Sequence, residues 1–330
     1  MMSRAAAPDV LVVGAGVVGL TTAICLAEQG LAVLVRADRP PAGTTSAVAG
    51  AIWGPHLVED SERTAGWRRE TLAVLRELAA DPATGVRIAS GIEATRSEPE
   101  PGPPAGWLAE LGGARRCEPD ALPPGFRGGW HYPAPLAHMP TYLEYLRARL
   151  ERAGGTLELA TVRSLAAAAA GLPVGAVVNC TGVHDRGLAA DPELTPWRGQ
   201  TVIAANPGLT EFFIGLPGDG HELVYLFPHG DTVVLGGTQV AGDWNPEPVP
   251  ALAGRILRDC AAVEPRLRDA AVLGHRVGLR PVRPQVRLEA TRDRAGGPLI
   301  VHNYGHGGGG ITLSWGCARE AAALAAERLG

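Results

Sequence analysis

The chain has 330 residues, which is enough to bury a large core and to form two domains. Charged residues make up 19% of the chain and the formal net charge at pH 7 is −4, a balance that argues against a nucleic-acid partner. The sequence shows no export signal and no apolar run long enough to span a membrane, so we expect a cytoplasmic protein without membrane contact. The five cysteines lack metal-ligand spacing, which predicts reduced thiols and no metal site.

The first motif joins a buried strand to a helix near the N-terminus. Residues 10–13 form a short β-branched apolar run that is typical of a buried parallel strand. The turn that follows reads Gly14-Ala15-Gly16-Val17-Val18-Gly19. Gly14 allows the tight turn, Gly16 lets the backbone approach a pyrophosphate, and Gly19 lets the helix pack on the strand. With a second strand at residues 32–35, the motif predicts a dinucleotide-binding site.

Polar side chains after the second strand are candidates for the rest of this site. Asp38 is the only acid there, and it stands slightly late for the usual ribose-binding position. A solvated loop aspartate is the alternative interpretation. Thr44, Thr45 and Ser46 place three hydroxyls before the glycine of residues 49–51. These hydroxyls suit a pyrophosphate, or they cap a helix.

Two helices and a further buried strand are predicted in the next part of the chain. Residues 61–78 carry apolar side chains at helical spacing, which predicts an amphipathic helix. Residues 141–144 read Thr-Tyr-Leu-Glu, a capping box that predicts the start of another helix. Residues 174–180 form an apolar strand that ends at Thr181 and Gly182. We expect these two residues near the cofactor, because ligands gather at such strand ends.

The middle of the chain is rich in strand patterns, at residues 200–204, 212–215, 223–227 and 232–236. The last two flank His229-Gly230-Asp231, a predicted hairpin turn. Because dinucleotide elements stand at the start, middle and end of the chain, we predict an α/β, Rossmann-like cofactor domain that is discontinuous, with an inserted β-rich substrate domain of mixed or antiparallel strands. The predicted boundaries are residues 1–58, 140–190 and 285–330 for the cofactor domain and residues 59–139 and 191–284 for the substrate domain.

A second glycine-rich turn stands near the C-terminus. Residues 299–301 form an apolar run that leads through His306 into four consecutive glycines, Gly307–Gly310, and then into a helical pattern. Residues without a Cβ let the backbone approach a ligand closely, and a helix start offers unpaired N–H groups. A flexible loop is the alternative, but the turn lies between a strand and a helix, so we favour a ligand cradle. Two interpretations are open for His306, a general base and a side chain that only hydrogen-bonds the backbone. We therefore assign it no catalytic role.

Arg280 and Tyr225 are the candidate substrate-binding side chains. Arg280 precedes Pro281, and proline restricts the preceding residue to extended geometry, so the guanidinium is presented from stiff backbone. A guanidinium matches a carboxylate with two parallel hydrogen bonds, and we favour this clamp for Arg280 and a structural role for Arg283. Tyr225 lies in an apolar strand where its hydroxyl needs a partner, so it is either core or a substrate contact.

Together these stretches resemble the D-amino-acid oxidase family, the FAD flavoenzymes that include D-aspartate oxidase. The match runs over nearly the whole chain, at residues 12–20, 37–39, 44–45, 48–50 with Trp53, 179–182, 235–237, 278–281 and 302–308. The last two stretches are specific to this family and its near relatives. The resemblance implies non-covalent FAD, held by Gly14, Ala15, Gly16, Val17, Val18, Gly19, Asp38, Arg39, Thr44, Thr45, Ser46, Gly50, Ala51, Val162, Thr181, Gly182, Arg280, Gly307, Gly308, Gly310, Ile311 and Thr312.

The resemblance also implies the oxidative deamination of neutral D-amino acids. Arg280 would bind the substrate carboxylate with the Tyr225 hydroxyl assisting, and the Gly308 carbonyl would take the amine. In the family a hydride passes from Cα to flavin N5, the imino acid hydrolyses to a 2-oxo acid and ammonia, and O2 reoxidises the flavin to give H2O2. The implied partners are a small D-amino acid and O2, and a homodimer is left open.

The sequence departs from the animal enzymes of this family around the substrate. Their active-site lid is long and carries a tyrosine that covers the substrate. The corresponding segment here, residues 216–225, is short, and His221 lies roughly where that tyrosine would be. Gly54, which follows Trp53 in the implied pocket, replaces a polar residue that is common in the animal enzymes. Gly309 replaces a residue that is bulkier in many members of the family. Each change removes bulk, so we expect a more open pocket that accepts larger D-amino acids.

Three alternative functions stay open at this point. Residues 237–245 and the pair Pro55-His56 echo D-aspartate oxidase, but Asp219 and Glu222 in the lid would repel a second substrate carboxylate. An FAD-binding protein without amino-acid oxidase activity has no use for the Arg280 clamp. An NAD-dependent dehydrogenase is disfavoured by the second glycine-rich turn, which suits a cofactor that reaches across the domain.

Overall fold

The computed structural model describes residues 7–98, 102–104, 106–188, 190–218, 220–292 and 297–327. In these ranges fourteen strands form one mixed sheet. The strands are β1 (Val10–Val13), β2 (Val33–Ala37), β3 (Val86–Thr95), β4 (Arg115–Arg116), β5 (Gly128–Ala137), β6 (Thr156–Leu159), β7 (Ala176–Asn179), β8 (Thr195–Ala205), β9 (Phe212–Gly215), β10 (Val224–His229), β11 (Thr232–Gly236), β12 (Val240–Ala241), β13 (Val272–Thr291) and β14 (Leu299–His306). The helices are α1 (Val17–Ala27), α2 (Glu62–Leu78), α3 (Trp107–Leu111), α4 (Met139–Arg152), α5 (Leu165–Ala168), α6 (Pro250–Val263) and α7 (Gly310–Ala326).

The strands at one end of the sheet are parallel. In the order β14, β7, β1, β2 and β6, each strand pairs with the next in the parallel sense. All residues of β1 and β7 are buried, as expected for apolar strands that are covered on both faces. α1 packs against α7, and Thr21 Oγ1 donates a hydrogen bond to the carbonyl of Ser314 at 3.3 Å. The α/β arrangement that the first glycine motif predicts is therefore confirmed.

The other half of the sheet is antiparallel except for the pairing of β3 with β9. β10 and β11 form the predicted hairpin, in which His229 pairs with Thr232 and Gly230 takes a φ of +61°. β13 pairs with β8 over Val272–Val282 and then with β14 up to Thr291. This long strand joins the two halves and carries Arg280 close to their junction.

The start of α4 differs from the prediction. The helix begins at Met139, two residues before the expected capping box, and Pro140 stands in its first turn. Thr141 Oγ1 lies 2.8 Å from His138 Nδ1 and caps no backbone N–H. The capping-box prediction is wrong, because a proline suits the first turn of a helix, where its missing N–H is not needed.

The other expectations concern one helix, the cysteines, membrane-spanning segments and the domain boundaries. The predicted amphipathic helix is α2, and Ser61 Oγ caps it by accepting from the Thr64 N–H at 3.3 Å. All five cysteines are free thiols. Among the described residues, no helix is long and apolar enough to cross a membrane. The domain boundaries stay a prediction, since one sheet runs through both predicted parts.

The crossing of α2 and α7 depends on Gly316. A Cβ at Gly316 would overlap backbone atoms of Trp67, which cannot yield without separating the helices. We expect Gly316→Ala to lower the free energy of unfolding by at least about 2 kcal/mol, although alanine has the higher helix propensity. In the control Gly66→Ala, no atom lies within 4 Å of the new Cβ, and stability should hold or rise by up to about 1 kcal/mol. Equal stability of both variants in urea denaturation would contradict this crossing.

Candidate cofactor and substrate site

A cavity of about 620 Å³ runs from the carboxyl ends of β1 and β7 to Arg280. This edge of an open α/β sheet is where ligands bind. Of the residues predicted to hold the cofactor, those that line the cavity are Gly14, Ala15, Gly16, Val17, Val18, Asp38, Arg39, Thr44, Thr45, Ser46, Gly50, Ala51, Val162, Thr181, Gly182, Arg280, Gly307, Gly308, Gly310 and Ile311. Gly19 and Thr312 lie outside this lining. The structure thus brings both glycine-rich turns to one cavity.

The first glycine turn is shaped by close approaches of the backbone. Gly14 has a φ of +112°, and its N–H donates to the carbonyl of Arg36 at 2.8 Å, which ties the turn to β2. A Cβ at Gly19 would overlap the Gly14 carbonyl, so α1 rests directly on the turn and Gly19 has the predicted packing position. The Val17 N–H donates to Ser46 Oγ at 3.0 Å. One of the three predicted hydroxyls therefore lies at the N-terminus of α1, where phosphate oxygens are favoured.

The acid after β2 pairs with its neighbour. Arg39 Nη2 donates to Asp38 Oδ2 at 2.9 Å, and this bond holds the pKa of Asp38 below its usual value. Both side chains line the cavity and stay about half exposed. The Thr44 hydroxyl donates to the carbonyl of Pro41 at 2.7 Å. An ionised Asp38 at this strand end can accept hydrogen bonds from ribose hydroxyls, and that role stays a prediction.

The second glycine turn packs against the segment that precedes α2. The Gly307 N–H donates to the carbonyl of Pro281 at 2.8 Å, and the Gly308 N–H donates to that of His56 at 2.9 Å. Gly307 has a φ of +53°, and a Cβ there would overlap the carbonyl of Leu57, so conformation and space both require glycine. The turn is held on two sides, which favours the predicted cradle over a flexible loop.

Arg280 reaches the far end of the cavity from β13. Its Nη1 donates to the carbonyl of Thr238 at 3.0 Å, and Thr238 Oγ1 accepts from the Gln200 N–H at 2.8 Å. A Cβ at Gly199 would overlap the guanidinium, so the backbone of β8 lies against one side of Arg280. Burial lowers the pKa of Arg280 and raises that of the adjacent Tyr225 hydroxyl. Backbone groups thus position a guanidinium that opens into the cavity, as carboxylate binding requires.

Arg283 has the structural role that the sequence predicts. Its Nε donates to Asp191 Oδ2 at 2.9 Å, and its Nη1 donates to the carbonyl of Gln285 at 2.9 Å. The Tyr304 hydroxyl donates to the same carboxylate oxygen of Asp191 at 2.8 Å. Arg283 lies outside the cavity lining, so the two neighbouring arginines of β13 have different surroundings.

Trp53 and Gly54 line the cavity as expected. The Thr312 hydroxyl donates to the Gly54 carbonyl at 2.8 Å and accepts from its N–H at 3.1 Å, so Thr312 holds this segment from outside the lining. A Cβ at Gly54 would lie 3.7 Å from Trp107, whose ring centre lies 6.1 Å from that of Trp53. Two tryptophans therefore form part of the pocket wall beside Gly54.

Two expectations about the lid and the pocket are not met. His221 is exposed and outside the cavity lining, because its N–H donates to the Gly218 carbonyl at 2.9 Å in a tight turn that folds back on itself. It does not cover the substrate position, and Asp219 of the same turn lies outside the described residues. Gly309 does not widen the pocket, because Val58 occupies the space beside it.

Sequence patterns do not predict one part of the cavity wall. Glu93, Trp107, Tyr132, Ile214 and Leu216 line the cavity there. Four of them belong to β3, α3, β5 and β9, and Leu216 directly follows β9. These elements carry no motif and lie far apart in the chain. A glutamate between Ile92 and Ala94 in a strand is the one signal that points to this wall before the strands are paired.

Residues 9–324 match the DAO family, described as FAD dependent oxidoreductase. The chain is 53% identical over 319 residues to a D-amino-acid oxidase of Rubrobacter xylanophilus, covering 97% of this chain and 96% of the other. It is 44% identical to a D-amino-acid oxidase of Streptomyces coelicolor, over 96% of each chain, and 36% identical to a D-aspartate oxidase of Homo sapiens, over 96% and 94%. Glycine oxidase of Geobacillus kaustophilus has a TM-score of 0.81 at 19% identity, over 97% and 95%, which shows a shared fold.

His306 makes stability depend on pH. Burial lowers the pKa of this histidine to about 4, whereas an unfolded histidine titrates near pH 6.5. The fold favours the neutral ring, so its contribution is complete above about pH 6.5 and is lost as the pH falls towards 4. We expect His306→Gln to reduce the loss in unfolding free energy between pH 7 and pH 4.5 by about 2 kcal/mol. The exposed control His275→Gln should leave this loss unchanged, and the same loss in both variants would contradict the assignment.

Proposed function

Since the chain belongs to the family of FAD dependent oxidoreductases, we propose that it is a D-amino-acid oxidase. The reaction is the oxidative deamination of neutral D-amino acids to 2-oxo acids, with O2 as acceptor and with release of ammonia and H2O2. The observation that carries the proposal is the buried guanidinium of Arg280 in the cavity that both glycine-rich turns line. A homodimer and a cytoplasmic location stay predictions.

The cavity fits FAD along its length. The turn at Gly14–Gly19 and Ser46 would hold the pyrophosphate, and Asp38 would bind ribose hydroxyls. Thr181, Gly182 and the turn at Gly307–Gly310 would flank the cofactor where their strands end. Bound FAD supplies the two-electron oxidation and passes the electrons to O2. The chain itself supplies the cradle, since the glycines leave backbone surface open to the cavity.

Three groups of the chain orient the substrate. Arg280 binds the carboxylate through parallel hydrogen bonds, and the Tyr225 hydroxyl donates a further one. The Gly308 carbonyl accepts from the amine, and Gly308 lies against His56, which is close enough to Arg280 for that charge to help lower the pKa of His56. The carboxylate and amine contacts therefore lie near each other. Together they fix the position of Cα, and this orientation is the contribution that the side chains make to the rate.

Side-chain proton transfer has little part in this proposal. His56 and His306 line the cavity, and burial lowers the pKa of each to about 4. Groups with such a low pKa are weak proton acceptors at pH 7. Orientation of the substrate, rather than proton transfer, is therefore the contribution that the chain would make to the reaction.

D-Aspartate is a poorer substrate than neutral D-amino acids in this proposal. A second substrate carboxylate would enter a part of the cavity wall that already holds the buried carboxyl of Glu93, where burial disfavours negative charge. Glu222 has no such effect, because it is exposed and lies 3.7 Å from Arg255 outside the cavity. Glu93 in the cavity wall, and not Glu222 in the lid, is therefore the group that disfavours D-aspartate.

Anaerobic reduction tests the function directly. D-Alanine and, separately, L-alanine are added to the purified protein while the visible spectrum is recorded. We expect D-alanine alone to bleach the oxidised flavin band, because with the carboxylate and amine both bound only one enantiomer would direct its Cα–H bond, rather than its side chain, at the flavin. A band that neither enantiomer changes would contradict the proposal, and a larger kcat/KM for D-aspartate than for D-alanine would reverse the substrate ranking.

Substitution of Arg280 tests the clamp. We expect Arg280→Ala to lower kcat/KM for D-alanine by at least about two orders of magnitude, because a desolvated pair of charge-assisted hydrogen bonds is lost. Tyr225→Phe removes one hydrogen bond and should cost about tenfold. The control Arg258→Ala removes an exposed charge outside the cavity and should leave kcat/KM unchanged. Near-normal activity of Arg280→Ala in an H2O2 assay would remove Arg280 from the site.

A further inference from the structure

Glu93 is a carboxylate in the cavity wall on the same sheet face as Tyr225. In the strand pairing, Ile214 of β9 lies opposite Glu93 of β3 on one side and opposite Tyr225 of β10 on the other. Residues that are directly paired across strands point to the same face. Two strand spacings separate the Cα atoms of Glu93 and Tyr225, which is roughly 10 Å. Tyr225 lies beside Arg280, so the cavity holds a cationic group next to Tyr225 and an anionic group two strands away from Tyr225.

The surroundings of Glu93 leave its charge largely uncompensated. The Tyr132 hydroxyl donates to Glu93 Oε2 at 3.2 Å. Among the described residues, no arginine or histidine forms an ion pair with Glu93, although most other buried or half-buried acids of the chain have such a partner. Burial raises the pKa of Glu93, because a carboxylate that is removed from water loses the solvation that stabilises its charge. A cation that enters the cavity would offset this penalty.

The rest of the wall suits the stem of a long basic side chain. Trp107 and Tyr132 pack edge to face with ring centres 5.8 Å apart, and Leu216 and Leu223 also line the cavity. Aliphatic stems of basic side chains pack on apolar surface while their charged ends stay polar. Aromatic faces attract cations as well. The wall therefore combines an apolar channel with a terminal carboxylate.

We propose that Glu93 binds the cationic end of the side chain of basic D-amino acids such as D-arginine, and that it makes the pocket prefer a basic side chain over an uncharged one of the same shape. The inference rests on the proposed oxidase function for the reaction itself. The substrate carboxylate lies on Arg280, and the side chain crosses the cavity to Glu93. The same carboxylate disfavours D-aspartate and D-glutamate, because their second charge repels it.

Matched substrates test this role. D-Citrulline has nearly the shape of D-arginine but no charge, so wild-type kcat/KM should be larger for D-arginine. We expect Glu93→Gln to lower kcat/KM for D-arginine by at least about tenfold, mainly through KM, because a charge-assisted hydrogen bond is lost. D-Citrulline and D-norleucine should change less than about threefold. The control Glu222→Gln removes an exposed carboxylate outside the cavity and should change none of the three.

The pH dependence separates a charge effect from a change of shape. Because burial raises the pKa of Glu93, the ratio of kcat/KM for D-arginine to that for D-citrulline should fall as the pH is lowered through that pKa. In Glu93→Gln this fall of the ratio at low pH should disappear, because the carboxyl that causes it is absent. An equal loss for all three substrates in Glu93→Gln, or a ratio that the substitution does not change, would overturn the proposal.

A binding measurement keeps the inference separate from turnover. The flavin spectrum of the purified protein is titrated with 4-(aminomethyl)benzoate and with 4-methylbenzoate, which share the carboxylate but differ in charge at the far end. We expect the wild type to bind the amine at least about tenfold more tightly than Glu93→Gln does, with 4-methylbenzoate unchanged. If D-alanine fails to reduce the flavin, the proposed function is wrong, and this Kd comparison still decides the role of Glu93. Equal Kd values in both proteins would overturn it.

Discussion

The burial of one guanidinium is the constraint on which the substrate side of this molecule depends. Removing a charge from water costs several kcal/mol unless hydrogen bonds and an opposite charge compensate. Arg280 bonds the Thr238 carbonyl, and among the described residues no carboxylate pairs with it. The charge of its neighbour Arg283 is already compensated by the carboxylate of Asp191. An anion from outside would complete the surroundings of Arg280, which supports the proposed carboxylate clamp.

The place of Arg280 follows from the sheet. β13 is long enough to pair with β8 and then with β14, so one strand belongs to the antiparallel half and to the parallel half. Both glycine-rich turns lie at the carboxyl ends of the parallel strands, and β13 brings Arg280, the proposed substrate clamp, to the same cavity. Gly278 of this strand approaches Val48 closely, and Gly50 approaches Phe227 of β10. These contacts couple the loop before Trp53 to the substrate strands, so cofactor and substrate positions are set together.

His221 and the start of α4 differ from the predictions for local reasons, whereas Glu93 was missed for a long-range one. His221 matches a family position by spacing, but the turn at Gly218 folds back and keeps it in solvent. Thr141 and Glu144 have capping-box spacing, yet Pro140 starts α4 earlier. Glu93 was not predicted, since its position in the pocket arises from pairing between β3 and β9, which lie more than a hundred residues apart in the chain. Local patterns carry no information about such pairing.

The sequence by itself determined the dinucleotide-type turn, the parallel strands, the β10–β11 hairpin and the candidacy of Arg280, because these depend on neighbouring residues and on backbone rules for glycine and proline. It also separated Arg280 from Arg283 in role. Only the tertiary structure decided which residues face the substrate across the cavity, that Thr312 supports Gly54 from outside, and that Val58 fills the space beside Gly309. Those relations join distant segments, and their distances are set by strand order and packing, which short sequence patterns do not encode.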